Sequence, residues 1–199
     1  MGTEEGLKMK AIGIVCSPRR DGNTTDCVRY LLDLLPDKWE RKIINLYDYV
    51  IHPCGVKCQN ECQKGLPAPC DSPEFDDRVK VLEEMKKFDI IILGTPAYIF
   101  DIPAQLKSFL ERNNLSPFLE GKLAVFIILA NVGKIKEFSS LAASFILDAK
   151  AIVLDAVFAD GYTEKGKTIK QERTRKLLKE SAERIIKYAR ISKNNSYDI

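Results

Sequence analysis

The chain has one histidine and one tryptophan in 199 residues. The histidine, His52, precedes Pro53 in a stretch rich in cysteine and proline. Hydrolytic Ser-His-Asp or Cys-His machinery needs a histidine held beside its nucleophile, and none can be assembled here. His52 is better read as a structural loop residue than as a general acid or ligand. No apolar run is long enough to span a bilayer, so no membrane partner is expected. Residues 1–6 are polar and lack the apolar segment of a secretory signal, which makes a cytoplasmic location the expectation. Neither G-x-G-x-x-G nor G-x-x-x-x-G-K-[ST] occurs, so the glycine-cradled dinucleotide and triphosphate loops are excluded in their usual form. Lysine and arginine number 31 against 28 acidic residues, and a net charge of +3 is too small to point to nucleic acid.

What is present is a regular alternation. Short, apolar or β-branched runs at 10–15, 42–46, 89–94, 123–130 and 151–158 read as strands buried on both faces of a parallel sheet. Helical patterns follow at 24–35, 73–87, 103–113, 135–149 and 168–191. The last carries Ile169, Leu177, Ala182, Ile185, Ile186 and Ala189 along one stripe, with charges elsewhere. Five βα units predict an α/β fold: a doubly wound, five-stranded parallel sheet with helices on both faces. One domain is expected over 1–193, with a Cys-rich insertion at 47–72 after strand two and a polar, disordered tail at 194–199. Ligands in such sheets bind beyond the C-terminal ends of the strands.

The loop after strand one, Cys16-Ser-Pro-Arg-Arg-Asp-Gly-Asn-Thr-Thr25, has the layout of a phosphate site. A helix start offers unpaired N–H groups and positive partial charge. Ser17, Thr24 and Thr25 add hydroxyls, Asn23 an amide and Arg19 a charged fork. A loop that holds phosphate mainly by side chains suits a single monophosphate. The blander alternative is an ordinary turn with a helix cap. After strand three, Thr95-Pro-Ala-Tyr-Ile-Phe100 presents Tyr98 and Phe100, either as a platform for a flat ring or as packing on the surface or at a subunit contact.

Together these two segments resemble the NADPH-dependent FMN reductase family of the flavodoxin-like superfamily. The family's first loop reads approximately Gly-Ser-Pro-Arg-x-x-Gly-Asn-Thr; here Cys16 replaces the leading glycine and 17–24 agrees. Its second signature, Thr-Pro-x-Tyr followed by Pro/Ala-x-Leu-Lys-x-Phe-x-Asp/Glu-Arg, is fitted by Thr95, Pro96, Tyr98, Leu106, Lys107, Phe109, Glu111 and Arg112. The resemblance implies a flavodoxin-like fold in which Ser17, Arg19, Asn23, Thr24 and Thr25 hold the FMN phosphate. It implies that Pro96, Ala97, Tyr98, Ile99 and Phe100 frame the isoalloxazine. The family's third loop is usually glycine-rich; here it is Asn131-Val132-Gly133-Lys134, with Asn131 the candidate contact.

Cys54, Cys58, Cys62 and Cys70 are spaced C-x3-C-x3-C-x7-C. Four soft thiolates suit an iron–sulfur cluster or zinc, although the paired C-x2-C knuckles usual for zinc are absent; disulfides or free thiols are the other alternative. The placement resembles the iron–sulfur flavoproteins, a branch of the same family whose spacing is tighter, nearer C-x2-C-x2-C-x5-C. That resemblance implies a [4Fe–4S] cluster on these four cysteines. Cys16 lies where a helix N-terminus can lower a thiol pKa, yet a small residue in a tight turn is the simpler expectation. Cys27 and Trp39 read as packing.

The chain is thus expected to be an FMN-binding oxidoreductase. Electrons would come from a reduced donor, NAD(P)H or a redox protein, and pass through FMN, with the cluster as a relay; no side chain need act as acid or base. The alternatives are a non-enzymatic flavodoxin-like electron carrier, a cluster-free NAD(P)H-dependent FMN or quinone reductase, and a flavin-free zinc-stapled module. Partners are a small-molecule or protein electron donor and acceptor, and a second copy of the chain in a homodimer or homotetramer, with Tyr98, Phe100 and the third helix near the contact.

Overall fold

The computed structural model describes residues 7–55, 74–112, 119–132 and 134–194. Five strands, β1 (Lys10–Val15), β2 (Glu40–Asn45), β3 (Ile90–Pro96), β4 (Leu123–Leu129) and β5 (Ile152–Ala159), form one sheet in the order β2-β1-β3-β4-β5. All pairs are parallel. The order reverses between β1 and β3, so the switch point, where such sheets bind ligands, lies at the ends of those two strands.

The helices are α1 (Asn23–Asp33), α2 (Arg78–Lys86), α3 (Ala104–Glu111), α4 (Ile135–Ala142), α5 (Lys167–Lys170) and α6 (Glu172–Asn194). Alternate strand residues point to opposite faces. Ala11, Val15, Ile90, Ile92, Val125 and Ile127 pack under α1 and α6, against Val28, Leu31, Leu178 and Ile185. Ile12, Ile14, Ile91, Leu93, Phe126 and Ile128 pack under α2, α3 and α4, against Val81, Met85, Phe109 and Leu141.

Two strand positions have to be glycine. A Cβ on Gly13 would lie 2.5 Å from Val28 Cγ1, and one on Gly94 would meet Val28 Cγ2 and, at 3.1 Å, Thr24 Cγ2. α1 therefore sits directly on the sheet at the switch point, which fixes its N-terminus against the ends of β1 and β3.

Three expected elements change. The helix expected over 135–149 is α4 followed by a π-helical turn, Ala143–Asp148, in which the Ala149 N–H donates to Ser144 O at 3.0 Å. The helix expected over 168–191 is α5 and α6, broken at Gln171, whose backbone is extended. The helix expected from 73 begins at Arg78. Of the insertion expected at 47–72, residues 47–55 are described: a single 3-10 turn, Leu46–Asp48, leads into it. Cys58, Cys62 and Cys70 lie outside the described residues, as does the tail beyond Asn194, which itself ends α6.

The stems of that segment are stitched together by buried charge. The Asp76 carboxylate accepts from the His52 N–H at 2.8 Å, from the Arg78 N–H at 3.0 Å and from the Arg112 guanidinium at 2.5 Å. Arg78 in turn donates to Phe109 O at 3.0 Å and to Arg112 O. Val50 and Asp77 exchange two more hydrogen bonds, at 2.8 and 2.9 Å. Burying a carboxylate is costly unless its lone pairs are filled, and for Asp76 three donors fill them.

Candidate functional site

A cleft of about 430 Å³ opens at the C-terminal ends of β1, β3, β4 and β5, within the range of small-molecule sites. One end presents donors that could receive an anion. Gly22 is the N-cap of α1 in extended conformation, so the first N–H groups of the helix face outward without intrahelical partners. Ser17 and Thr24 are buried there. The Ser17 hydroxyl accepts from the Arg19 N–H at 3.3 Å, which leaves its own proton to donate. Thr24 rests its methyl near Gly94, and its hydroxyl has no partner among the described residues. Arg19 spans the mouth and reaches Thr163 O at a long 3.5 Å, so most of its fork is unspent.

The other end is apolar. Pro96, Ala97 and Tyr98 from the end of β3 face Leu129, Ala130 and Asn131 from the end of β4. Ladder bonds carry the sheet into these loops: the Ala97 N–H donates to Leu129 O at 2.9 Å, and the Ala130 N–H to Ala159 O at 3.1 Å. Tyr47, from the turn after β2, stands beside Tyr98 and Cys16; burial pushes its phenol pKa up, and those two neighbours add to the rise.

Of the expected contacts, Ser17, Arg19, Asn23, Thr24, Pro96, Ala97, Tyr98 and Asn131 line the cleft. Thr25, Ile99 and Phe100 do not. The Thr25 hydroxyl donates to Arg20 O at 2.6 Å, which closes the loop on the far side from the cleft. The Asn23 amide, expected as a phosphate donor, donates instead to Tyr162 O and Glu164 O, both at 2.9 Å, and its carbonyl accepts from the Thr168 N–H at 3.3 Å. Asn23 can therefore meet a ligand through its backbone N–H while its side chain holds the loop after β5.

Ile99 and Phe100 form the tip of a two-residue hairpin. The Tyr98 N–H donates to Asp101 O at 2.8 Å, and the Asp101 N–H returns to Tyr98 O at 3.1 Å. Both tip residues have positive φ, 50° and 60°, a turn that favours Asn-Gly. An isoleucine and a phenylalanine there cost about 1–3 kcal/mol each.

Sequence reasoning missed the loop after β5. Gly161, Tyr162, Thr163 and Lys165 form a further wall of the cleft. The available signal was a Gly-Tyr pair at a strand's C-terminal end, the place where the switch-point rule looks for ligands. Lys165 faces Asp21 at 3.6 Å, and Lys134 ties the loop after β4 to this one through Asp160 at 2.9 Å, holding that carboxyl below its usual range.

The remaining thiols divide. Cys16 is fully buried and burial drives its pKa far up; Cys27 is pushed up to about 12, mainly by burial. Both are packing residues. Cys54 is exposed, and its N–H donates to Glu111 Oε1 at 2.6 Å. Among the described residues no three His, Cys, Asp or Glu side chains are grouped to hold a metal ion, and no helix is long and apolar enough to cross a membrane.

Residues 9–163 match the model of the family described as NADPH-dependent FMN reductase. The chain belongs to that family. An iron–sulfur flavoprotein of Methanocaldococcus jannaschii is 41% identical over 106 residues, covering 53% of this chain and 52% of the relative. An iron–sulfur flavoprotein of Archaeoglobus fulgidus is 31% identical over 134 residues, 65% of this chain and 58% of the relative. The chain thus spans about half the length of the curated relatives it matches. Among solved structures, an FMN-dependent NADH-azoreductase of Bacillus anthracis in complex with FMN superimposes with TM-score 0.66 at 16% identity, over 89% of this chain and 99% of that one. RosB, with a bound riboflavin-5′-phosphate derivative, gives 0.73 at 17% identity, over 95% and 82%. At such identities the likeness is one of fold.

Proposed function

We propose that the chain is an FMN-dependent oxidoreductase whose cleft takes the phosphate of FMN at the N-terminus of α1 and the isoalloxazine between the ends of β3 and β4. The observation that carries this is the polarity of a single cleft: buried hydroxyls, free helical N–H groups and a guanidinium at one end, apolar and aromatic side chains at the other. Bound FMN would supply a two-electron acceptor that also releases electrons singly. The chain's own residues do the rest. Ser17, Thr24 and Arg19 neutralise and orient the phosphate, with the backbone N–H groups of Asn23, Thr24 and Thr25. Pro96, Ala97 and Tyr98 wall the ring side, and Asn131 closes it from β4. Asn23 keeps the loop after β5 in place against the phosphate end.

The proposed donor is NAD(P)H, with NADPH named in the family description and NADH in the names of other relatives. Purified protein should bind one FMN per chain and oxidise NADPH or NADH when FMN or a quinone is in excess. A chain that binds no FMN at micromolar concentration overturns the proposal; one that binds it and oxidises neither nucleotide is an electron carrier instead.

We further propose that Cys54, Cys58, Cys62 and Cys70 ligate one [4Fe–4S] cluster. Four cysteines within 17 residues and the names of the Methanocaldococcus and Archaeoglobus relatives support it. Anaerobically prepared protein should carry about four irons and four sulfides per chain. Zinc, or no metal, in that preparation removes the cluster and leaves the flavin proposal standing.

A further inference from the structure

Gly13 and Gly94 let α1 settle over β1 and β3, and β2 is the edge strand of the sheet. The flank of the sheet beside α1 is therefore only partly covered, and Ile43 on β2 stays 37% exposed. Between helix and edge strand lies a second cavity, of about 280 Å³.

Its walls follow from two periodicities. Thr25 and Arg29 are four residues apart and share one face of α1. Ile43 and Asn45 are two apart and share one face of β2. Val15 joins from the end of β1, and Tyr49 from beyond the 3-10 turn. The loop after β1 is the partition between this cavity and the cleft. Arg19 and Thr24 line the cleft, whereas Arg20 and Thr25 line the cavity.

Val15, Ile43 and Ile44 give the cavity its apolar surface. Two of its polar side chains are already used. The Asn45 amide donates to Ser17 O and its carbonyl accepts from the Tyr47 N–H, both at 2.9 Å, and the Thr25 hydroxyl is held by Arg20 O. Two others are unspent. Among the described residues Arg29 makes no hydrogen bond or ion pair, and the Tyr49 phenol has no hydrogen-bond partner. Arg20 pairs with Asp48, an exposed contact that contributes little and can open to a ligand. Two guanidiniums against one carboxylate leave the cavity with a single positive charge in surplus.

We propose that this cavity is a second ligand site, which takes a small monocarboxylate with an apolar or aromatic body. The carboxylate lies in the fork of Arg29, whose planar pair of N–H groups matches two coplanar oxygens, and the Tyr49 O–H is a further donor. The body rests on Val15, Ile43 and Ile44. The volume sits at the lower edge of small-molecule sites, enough for one ring with a short side chain and too small for a nucleotide. Asp48 sets the preferred charge. A phosphate ester brings nearly two negative charges towards that carboxylate, whereas a monocarboxylate brings one and matches the surplus. The loop after β1 stands between this ligand and the cleft, so the ligand is bound there and not reduced. The inference does not depend on flavin.

Benzoate and phenyl phosphate test it, since they share a ring and differ in the anion. Ligand-observed NMR on the full chain, with and without FMN, should show benzoate binding with a Kd of roughly 1 mM or tighter, and phenyl phosphate at least 10-fold weaker. Arg29→Ala should weaken benzoate at least 10-fold. Arg29→Lys keeps the charge, loses the fork and should cost less. Asp48→Asn raises the surplus charge and should strengthen phenyl phosphate at least 5-fold. Arg29 and Asp48 are exposed and outside the cleft, so circular dichroism and FMN affinity should match the wild type in all three variants. A wild type that binds no benzoate, benzoate affinity that Arg29→Ala leaves unchanged, or displacement of benzoate by FMN would each overturn the site; the last would put the probe in the cleft. A wild type that prefers phenyl phosphate would overturn the monocarboxylate assignment. A chain that binds benzoate through Arg29 and binds no FMN would leave this site standing and overturn the flavin proposal alone.

Discussion

Asn23, the first residue of α1, donates its side-chain amide to the carbonyl of Tyr162, 139 residues further along the chain. With the bond to Glu164 and the one from Thr168, it locks the loop after β5 onto the loop after β1. A side chain expected to hold the phosphate is thus the fastener of the last loop.

Asn23→Ala should therefore act on stability and ligand binding together. The loss should be about 1–3 kcal/mol in urea unfolding, from hydrogen bonds that a methyl cannot replace. FMN affinity should fall with it, because Tyr162, Thr163 and Lys165 lose their anchor. A variant that unfolds like the wild type would show that the loop is held by something else.

Arg19→Ala should behave differently. Arg19 is exposed and its one protein contact is long, so stability should change little. Loss of a charge-assisted contact worth about 1.5–3 kcal/mol should lower FMN affinity roughly 10- to 150-fold. Flavin fluorescence titration measures this, and unchanged affinity would remove Arg19 from the site.

Gly94→Ala places a methyl group against Val28. Overpacking of this kind typically costs about 1–3 kcal/mol. Val28→Ala in the same chain should return part of the loss, so the double variant should be more stable than the sum of the two single losses. Strict additivity in denaturant titrations would mean that α1 does not rest on the sheet there.

Thiol reactivity gives a test of burial that needs no cofactor. With Cys58, Cys62 and Cys70 replaced by serine, one thiol should react rapidly with a disulfide reagent at about pH 8, the exposed Cys54. Cys27, pushed up to about 12, and Cys16, pushed higher still, should stay protonated and unreactive until denaturant is added. Two fast thiols in the native protein would contradict the packing of the first loop or of α1.

The strands were legible to within two residues because buried parallel strands are continuous apolar runs, and Lys10–Val15 stands as read. The residues that line one end of the cleft were legible because they are local: Ser17, Arg19 and Thr24 lie within eight consecutive positions that run into the first turn of α1. The wall at 161–165 was not, since Asn23 finds its partners only after the sheet has folded. The hairpin was hidden for a different reason. A turn with two positive φ values normally announces itself with asparagine and glycine, whereas Ile99 and Phe100 look like strand or core residues. The break at Gln171 and the π turn after Ala142 likewise leave an unbroken helical period in the sequence.

Asp76 and Asp77, joined to His52 and Val50, bring both ends of the cysteine-bearing segment to one point beside α3. A segment whose ends already meet can change in length at small entropic cost, about 0.6 kcal/mol for each doubling. Insertions and deletions between these stems need not disturb the sheet or the cleft. The fold thus offers a socket in which the spacing between the cysteines can vary while the scaffold that carries it stays unchanged.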